Sequence, residues 1–182
     1  MSKTLKFSPT ALVIASYLLS LTACSLPFGG GPRDIRVTTV TDVDYKDQTQ
    51  IDFVERPPHP SKIISRIDFT TSTDLLALAI SKDYNVDFSL GQCSKDGVED
   101  NVGHHVGQLY WNKLLIEPSS KVASDYAASI AKGPPFTYQV YVDRLTPNDT
   151  QGPMCFALAG GNMLGFRLRS NVAQIPNSST AR

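Results

Sequence analysis

The sequence lacks the features by which nucleic-acid-binding proteins and metalloproteins are usually recognised. Its 182 residues carry 17 Lys+Arg and 17 Asp+Glu, so the formal net charge is zero, and no segment is rich in basic residues. Because affinity for nucleic acid comes mainly from basic side chains that neutralise phosphates, we expect no nucleic-acid partner. The chain also has only 3 His and 3 Cys and contains no Cys-x-x-Cys pair. We therefore predict neither a bound metal nor a cofactor.

Signatures of common enzyme classes are missing as well. No Gly-x-Ser-x-Gly sequence marks a hydrolase nucleophile, and the glycines at 29–31 and 160–161 are not followed by the Gly-Lys-Ser/Thr of a phosphate-binding loop. No repeat of fixed period occurs, which argues against solenoids and propellers. The sequence therefore predicts a protein that is not an enzyme.

The N-terminus carries the pattern of a secretory signal peptide. Lys3 and Lys6 precede a largely apolar stretch at 11–21. This stretch is shorter than the roughly 20 apolar residues that span a bilayer. We therefore interpret residues 1–23 as a signal peptide that is removed from the mature protein.

The signal peptide ends in Leu21-Thr22-Ala23-Cys24, which resembles the lipobox of bacterial lipoproteins. The resemblance covers only the first 24 residues and says nothing about the family of the folded domain. In lipoproteins this cysteine carries diacylglycerol on its sulfur, becomes the first residue after cleavage and often becomes N-acylated. The resemblance implies that Cys24 is lipidated and that the membrane is a partner through that lipid. The alternatives are a plain signal peptide with an accidental cysteine and a short membrane helix.

The residue after the lipobox cysteine bears on localisation. In the sorting pattern of lipoproteins, a residue other than Asp here, such as Ser25, implies the outer membrane of a Gram-negative cell. We expect a lipid-anchored domain that faces the periplasm, with the inner membrane as the alternative. Removal of Lys3 and Lys6 leaves 15 basic and 17 acidic side chains, a formal charge of −2. Since this charge does not attract anionic lipids, the lipid itself must hold the protein.

The two remaining cysteines, Cys93 and Cys155, are 62 positions apart. An exported chain meets oxidising conditions, under which cysteine pairs persist as disulfides. We predict a Cys93–Cys155 bridge, which the chain-entropy model credits with about 4 kcal/mol of stabilisation. The alternative is two buried free thiols.

Changes in composition mark the limits of the folded domain. Residues 24–33 contain three consecutive glycines between two prolines, so we predict a tether there. Residues 34–176 form one globular domain, because hydrophobic residues at 41% suffice for a core. The polar segment at 177–182 is expected to be a flexible tail.

Alternation of apolar and polar residues predicts that the domain is built mainly of strands. It is clearest in five segments, which contain Ile35, Ile67, Val86, Tyr138 and Phe166. Weaker candidates lie at 50–54, 108–117 and 154–159. The last of these leads through glycines 160–161 and Asn162, which predict the turn of a hairpin over 154–175.

Two stretches favour helices instead. Thr73 and Asp74 are cap candidates before a run of helix formers, which predicts a helix of roughly 10 residues. Val122, Tyr126 and Ile130 recur at a spacing of four before Gly133. Each stretch could instead be a strand and a loop. The predicted fold is mainly β, an antiparallel β-sandwich of about seven to nine short strands with one or two short helices, with α+β as the alternative.

Two groups of residues are candidates for chemistry. His59, His104 and His105 are the only histidines, and adjacent residues on a strand point to opposite faces. We therefore interpret His104 and His105 as part of an exposed loop, and the acidic residues at 96–100 as a solvated turn rather than a calcium site.

Tyr110, Trp111 and Tyr141 are the candidate ligand-binding residues. Strand alternation places Trp111 opposite Tyr110 and Tyr141 opposite Tyr138, so some of these rings are expected to be exposed. Exposed Tyr and Trp suit recognition of protein or sugar. Packing in the core is the alternative explanation for the same aromatic residues.

These observations predict a non-catalytic envelope lipoprotein that binds a protein partner in the periplasm. A subunit of a secretion or envelope-assembly system and an immunity or inhibitor protein would both fit this description. The first alternative is a lipoprotein that binds carbohydrate or peptidoglycan through its aromatic residues. The second is an envelope hydrolase that uses His104, His105 and the acidic residues at 96–100. The oligomeric state stays open.

Overall fold

The alternating segments form strands that pair into two antiparallel sheets. The computed structural model describes residues 30–47, 63–99, 109–112, 114–122, 124–146 and 152–176. The strands in these ranges are β1 Arg36–Asp44, β2 Ile63–Thr71, β3 Asn85–Ser94, β4 Gly97–Glu99, β5 Leu109–Trp111, β6 Leu114–Leu115, β7 Phe136–Asp143, β8 Met154–Gly161, β9 Arg167–Arg169 and β10 Ala173–Gln174. The first sheet has the order β1-β2-β7-β5-β6, and the second has the order β10-β8-β3-β4, with β9 also paired to β8.

Apolar faces of the two sheets meet in one core. Phe69 of β2 lies 5.0 Å, centroid to centroid, from Phe156 of β8, and Phe156 lies 5.7 Å from Phe88 of β3. Since β2 belongs to the first sheet and β8 to the second, these rings join the sheets face to face. The predicted sandwich-like, mainly β fold with few helices is confirmed.

Two α-helices, α1 Leu75–Lys82 and α2 Ser124–Ile130, and a short 3-10 helix at Tyr45–Asp47 complete the described part of the chain. In α1 the carboxylate of Asp74 accepts a hydrogen bond from the Ala77 amide at 2.9 Å, which makes it the predicted N-cap. The helix has 8 residues, and it ends at Asp83, whose φ of 53° is left-handed. In α2, Tyr126 is buried, whereas Val122, the first residue of the predicted apolar series, lies before the helix and is 56% exposed.

Three details differ from the sequence prediction. The weak strand at 108–117 is divided into β5 and β6 by a reversal at Asn112, whose φ is 44°. In the C-terminal hairpin, β8 runs through Gly161, so the turn occupies 162–166 rather than the glycines at 160–161. Strand β9 is only three residues long and leaves Phe166 44% exposed, although alternation predicted a buried face that included it.

The last residues of the predicted tether are packed against the domain. Gly30 forms a parallel bridge with Arg169, and the Asn171 amide donates to the Pro32 carbonyl at 3.2 Å. A Cβ at Gly31 would lie 2.2 Å from the Arg169 carbonyl oxygen, so only glycine permits this approach. Residues 30–32, which fall within the predicted tether, are therefore in contact with the segment that contains Arg169 and Asn171.

Candidate functional site

The predicted cysteine pair ties the second sheet together. The Sγ atoms of Cys93 in β3 and Cys155 in β8 lie 2.13 Å apart, at disulfide-bonding distance, and their Cα atoms are 4.9 Å apart. The register places Cys155 opposite Gly91, so the two cysteines are diagonal neighbours on adjacent strands. This bridge holds the end of β8 that lies farthest from the hairpin turn.

The aromatic residues do not form the exposed face that strand alternation predicted. Tyr110 and Tyr141 are 1% and 4% exposed, and their rings pack edge to face with centroids 5.7 Å apart. They form a second apolar cluster with Ile64 on the face of the first sheet that points away from the core. Both rings are buried because they pack on each other, which agrees with the packing explanation of these aromatic residues rather than with an exposed binding face. Burial raises the pKa of Tyr110 to about 12 and also raises the pKa of Tyr141.

Trp111 takes part in a different cluster, which surrounds the start of α1. Its ring is half-buried and packs edge to face on Tyr126 at 4.9 Å between centroids. The Tyr126 hydroxyl donates to the Asp74 carboxylate and lies 3.2 Å from the Tyr138 hydroxyl oxygen. The Tyr138 hydroxyl in turn accepts from the Leu75 amide at 2.9 Å.

These contacts explain how α1 is held on the sandwich. The first amides of a helix lack partners within the helix. Here the Asp74 carboxylate accepts a hydrogen bond from the Ala77 amide, and the buried Tyr138 hydroxyl accepts one from the Leu75 amide. Burial is the main reason why the pKa of Tyr138 rises to about 12 and that of Tyr126 also rises. Through these hydrogen bonds the cluster fixes the start of α1 on the sandwich.

The candidate catalytic or metal-binding loop is described only in part. Asp96 lies in the turn between β3 and β4, and Glu99 ends β4. The other residues of the proposed catalytic or metal-binding loop, Asp100, His104 and His105, lie outside the described residues. His59, the possible strand at 50–54 and Cys24 also lie outside them. In the part that the structure describes, no group of three or more His, Cys, Asp or Glu side chains is placed to hold a metal ion.

A groove of about 340 Å³ lies on the outer face of the second sheet. Its floor contains Ser89 of β3 and Ala157 of β8, which are directly opposite each other in the register. Because both side chains are small, the floor is lower than its walls, which include the turn at Asp96 and the segment Arg169 to Val172. The groove therefore offers a concave surface with both polar and apolar groups.

A second groove of about 720 Å³ lies beside Gly30, the first residue that the structure describes. It is lined by Gly30, by residues of the end of α1 and the two positions after it, and by the hairpin turn that carries Met163, Leu164 and Phe166. Met163 is 98% exposed and Leu164 is 83% exposed. Large apolar side chains grouped at such exposure are uncommon on a monomer and mark a surface that contacts something apolar.

Asn162 holds this turn in shape. Its amide donates to the Phe166 carbonyl at 3.1 Å, and its side-chain oxygen accepts from the amides of Leu164 and Phe166. Its side-chain nitrogen donates to the Lys82 carbonyl at 2.9 Å, which links the turn to the end of α1. The exposed apolar residues therefore project from a hydrogen-bonded turn that is braced against a helix.

Met163 and Leu164 are not among the functional candidates that the sequence patterns indicate. The available signal was two large apolar residues next to each other inside a predicted turn, between Asn162 and Gly165. Turns in hairpins are normally polar, so this pair breaks the usual pattern.

Comparison of the chain with protein-family models, with curated proteins and with solved structures found no match. None of the helices in the described ranges combines the length and the hydropathy that crossing a bilayer requires.

Proposed function

We propose that this chain is a bacterial envelope lipoprotein, held to the outer membrane by lipid on Cys24, whose periplasmic domain binds a protein partner and carries out no catalysis. The anchor rests on the resemblance of Leu21-Thr22-Ala23-Cys24 to a lipobox. The disulfide-distance pair Cys93 and Cys155 supports an oxidising compartment.

The observation that carries the binding function is the groove on the outer face of the second sheet. Its floor of Ser89 and Ala157 and its walls with Asp96, Arg169 and Val172 combine polar, charged and apolar groups. Protein interfaces have this mixed character, with hydrogen-bonding groups around small apolar areas. The disulfide links the two strands that form the floor, so a partner meets a surface that needs little ordering on binding.

The burial of Tyr110 and Tyr141 favours this function over binding of carbohydrate. Sugar recognition uses the exposed faces of aromatic rings. Two of the three rings on which carbohydrate binding was based, Tyr110 and Tyr141, are instead buried against each other. Trp111 is packed on Tyr126, which leaves no pair of exposed rings among these three candidates.

The anchor is tested by the intact mass of protein purified from envelope fractions, with and without reductant and alkylation. We expect a mass that begins at Cys24 and includes acyl chains, with two thiols that react only after reduction. A mass without acyl chains would contradict the anchor. Two thiols that react without reductant would contradict the bridge.

The partner site is tested by a Ser89→Arg variant, which places a long charged side chain on the floor of the groove. Thr41→Arg is the matched control, because Thr41 is an exposed strand position in the other sheet. Lipidated proteins are captured from detergent-solubilised envelopes, and bound proteins are identified by mass spectrometry.

We expect the wild type and the Thr41→Arg variant to enrich the same envelope protein, and the Ser89→Arg variant to lose it. Equal enrichment by all three proteins would show that the partner does not use the groove. Repeated absence of any enriched protein from the wild type would contradict the binding function itself.

A further inference from the structure

The distance between the lipid and the domain is limited by the chain that joins them. Six residue steps separate Cys24 from Gly30, the first residue that the structure describes. A fully extended chain covers at most about 3.6 Å per residue, so these steps span roughly 20 Å. If Cys24 is lipidated as proposed above, Gly30 lies within that distance of the bilayer.

The exposed apolar turn lies beside the same point. Gly30 lines the groove together with Met163, Leu164 and Phe166. Their side chains are 98%, 83% and 44% exposed. A lipid at Cys24 therefore brings three large apolar side chains close to a hydrocarbon phase.

The turn is already ordered for contact with lipid. The hydrogen bonds from the Leu164 and Phe166 amides to the Asn162 side chain fix the backbone that carries the apolar groups. Insertion of a turn whose amides already have partners avoids most of the cost of moving free backbone groups out of water.

Charges around the turn suit a phospholipid surface. Lys82 lines the groove and Arg167 follows Phe166 directly, and both side chains are exposed. Asp83 on the same rim offsets one of these charges. Basic side chains that flank apolar ones are the usual arrangement of a segment lying at the membrane interface.

We propose that the turn from Asn162 to Phe166 inserts Met163, Leu164 and Phe166 into the bilayer to which Cys24 is anchored. The lipid chains provide most of the affinity, and the turn provides a second contact that sets the orientation of the domain. This inference depends on the proposed lipid anchor.

The experiment places a fluorescent probe in the turn. A Leu164→Trp variant and a matched Val122→Trp control are purified as full-length lipidated proteins. Val122 is also exposed, at 56%, and lies before α2 rather than in the turn. Each protein is reconstituted into vesicles of phosphatidylethanolamine and phosphatidylglycerol with brominated acyl chains, and the wild type gives the background from Trp111.

We expect brominated lipid to quench about half or more of the added Leu164→Trp emission, since an interfacial apolar segment lies about 5 to 10 Å below the headgroups. The Val122→Trp emission should instead be quenched by aqueous acrylamide. Equal acrylamide quenching of both variants, without quenching by brominated lipid, would overturn the inference. Shielding of Leu164→Trp from both quenchers would also overturn it, because the turn would then be covered by protein, such as residues 24–29.

Intact mass of the same samples separates this inference from the anchor. Acylated protein whose turn is not quenched by brominated lipid refutes insertion and retains the anchor. Protein without acyl chains refutes the anchor. In that case, flotation of the protein with the same vesicles tests the turn directly, and loss of flotation in a Met163→Ser/Leu164→Ser variant supports insertion.

Discussion

Substitution of Tyr138 by phenylalanine tests how α1 is attached to the sandwich. The ring of Tyr138 is fully buried, and phenylalanine keeps its volume, so the change removes a hydroxyl without opening a cavity. That hydroxyl accepts a hydrogen bond from the Leu75 amide at 2.9 Å and lies 3.2 Å from the Tyr126 hydroxyl oxygen. The Leu75 amide is one of the first in the helix, so no carbonyl within the helix replaces the lost acceptor.

The expected cost is that of leaving a buried donor without a partner. Leu75 has no exposed surface, so water does not reach its amide in the folded state. Removing the acceptor of a buried donor costs about 1–3 kcal/mol. We expect the free energy of unfolding of Tyr138→Phe to fall by that amount, with an unchanged dependence on denaturant concentration.

The assay is equilibrium unfolding in guanidinium chloride with the disulfide intact, and Tyr141→Phe is the control. Tyr141 lies three positions along the same strand and on the opposite face, and its hydroxyl makes no hydrogen bond within the described ranges. Its loss should change stability by less than about 0.5 kcal/mol. Equal stability of the two variants would refute the role assigned to the Tyr138 hydroxyl.

Three further predictions concern the bridge, the N-terminal segment and pH. A Cys93→Ala/Cys155→Ala variant should lose about 4 kcal/mol of unfolding free energy relative to the oxidised wild type, and equal midpoints in denaturant would contradict the bridge. Gly31→Ala puts a Cβ 2.2 Å from the Arg169 carbonyl oxygen, so limited proteolysis should release the segment before β1 faster than in the Gly30→Ala control, where nothing lies within 4 Å. The stability that the buried tyrosines contribute should be fully present below pH 10.0 and be lost as the pH rises through about 12, because the folded state favours their neutral hydroxyls. Absorbance titration should show four tyrosines that ionise at higher pH than a free tyrosine, namely Tyr110, Tyr126, Tyr138 and Tyr141.

The elements that depend on neighbouring residues could be predicted from the sequence. Asp74 caps α1 because its side chain needs to reach only the amide three residues later. The pairing of β8 with β9 was also predictable, since a short turn joins these two strands. One distant contact was also predicted, the pairing of Cys93 with Cys155, because the proposed export and lipidation of Cys24 would leave only these two cysteines to pair; their Sγ atoms lie at disulfide-bonding distance.

Features that depend on distant contacts could not be predicted. The alternation of side chains along a strand correctly placed Tyr138 and Tyr141 on opposite faces of β7. It does not show whether other side chains pack over a given face. Tyr141 is buried because Tyr110, from another strand, packs on it. Likewise, the glycines at 29–31 have the composition of a spacer, and only the approach to Arg169 shows that Gly31 is part of the domain.

Strand β8 connects the two surfaces to which the proposals assign a function. Gly161 at one end leads into the apolar turn, Ala157 lies on the floor of the groove, and Cys155 holds the other end. A strand rises about 3.3 Å per residue, so the groove lies no more than roughly 15 Å from the turn. If the turn enters the bilayer, a partner that fills the groove must itself reach close to the membrane surface. The search for that partner should therefore begin with membrane-bound envelope proteins, and a partner that binds only far from the membrane would be incompatible with one of the two sites.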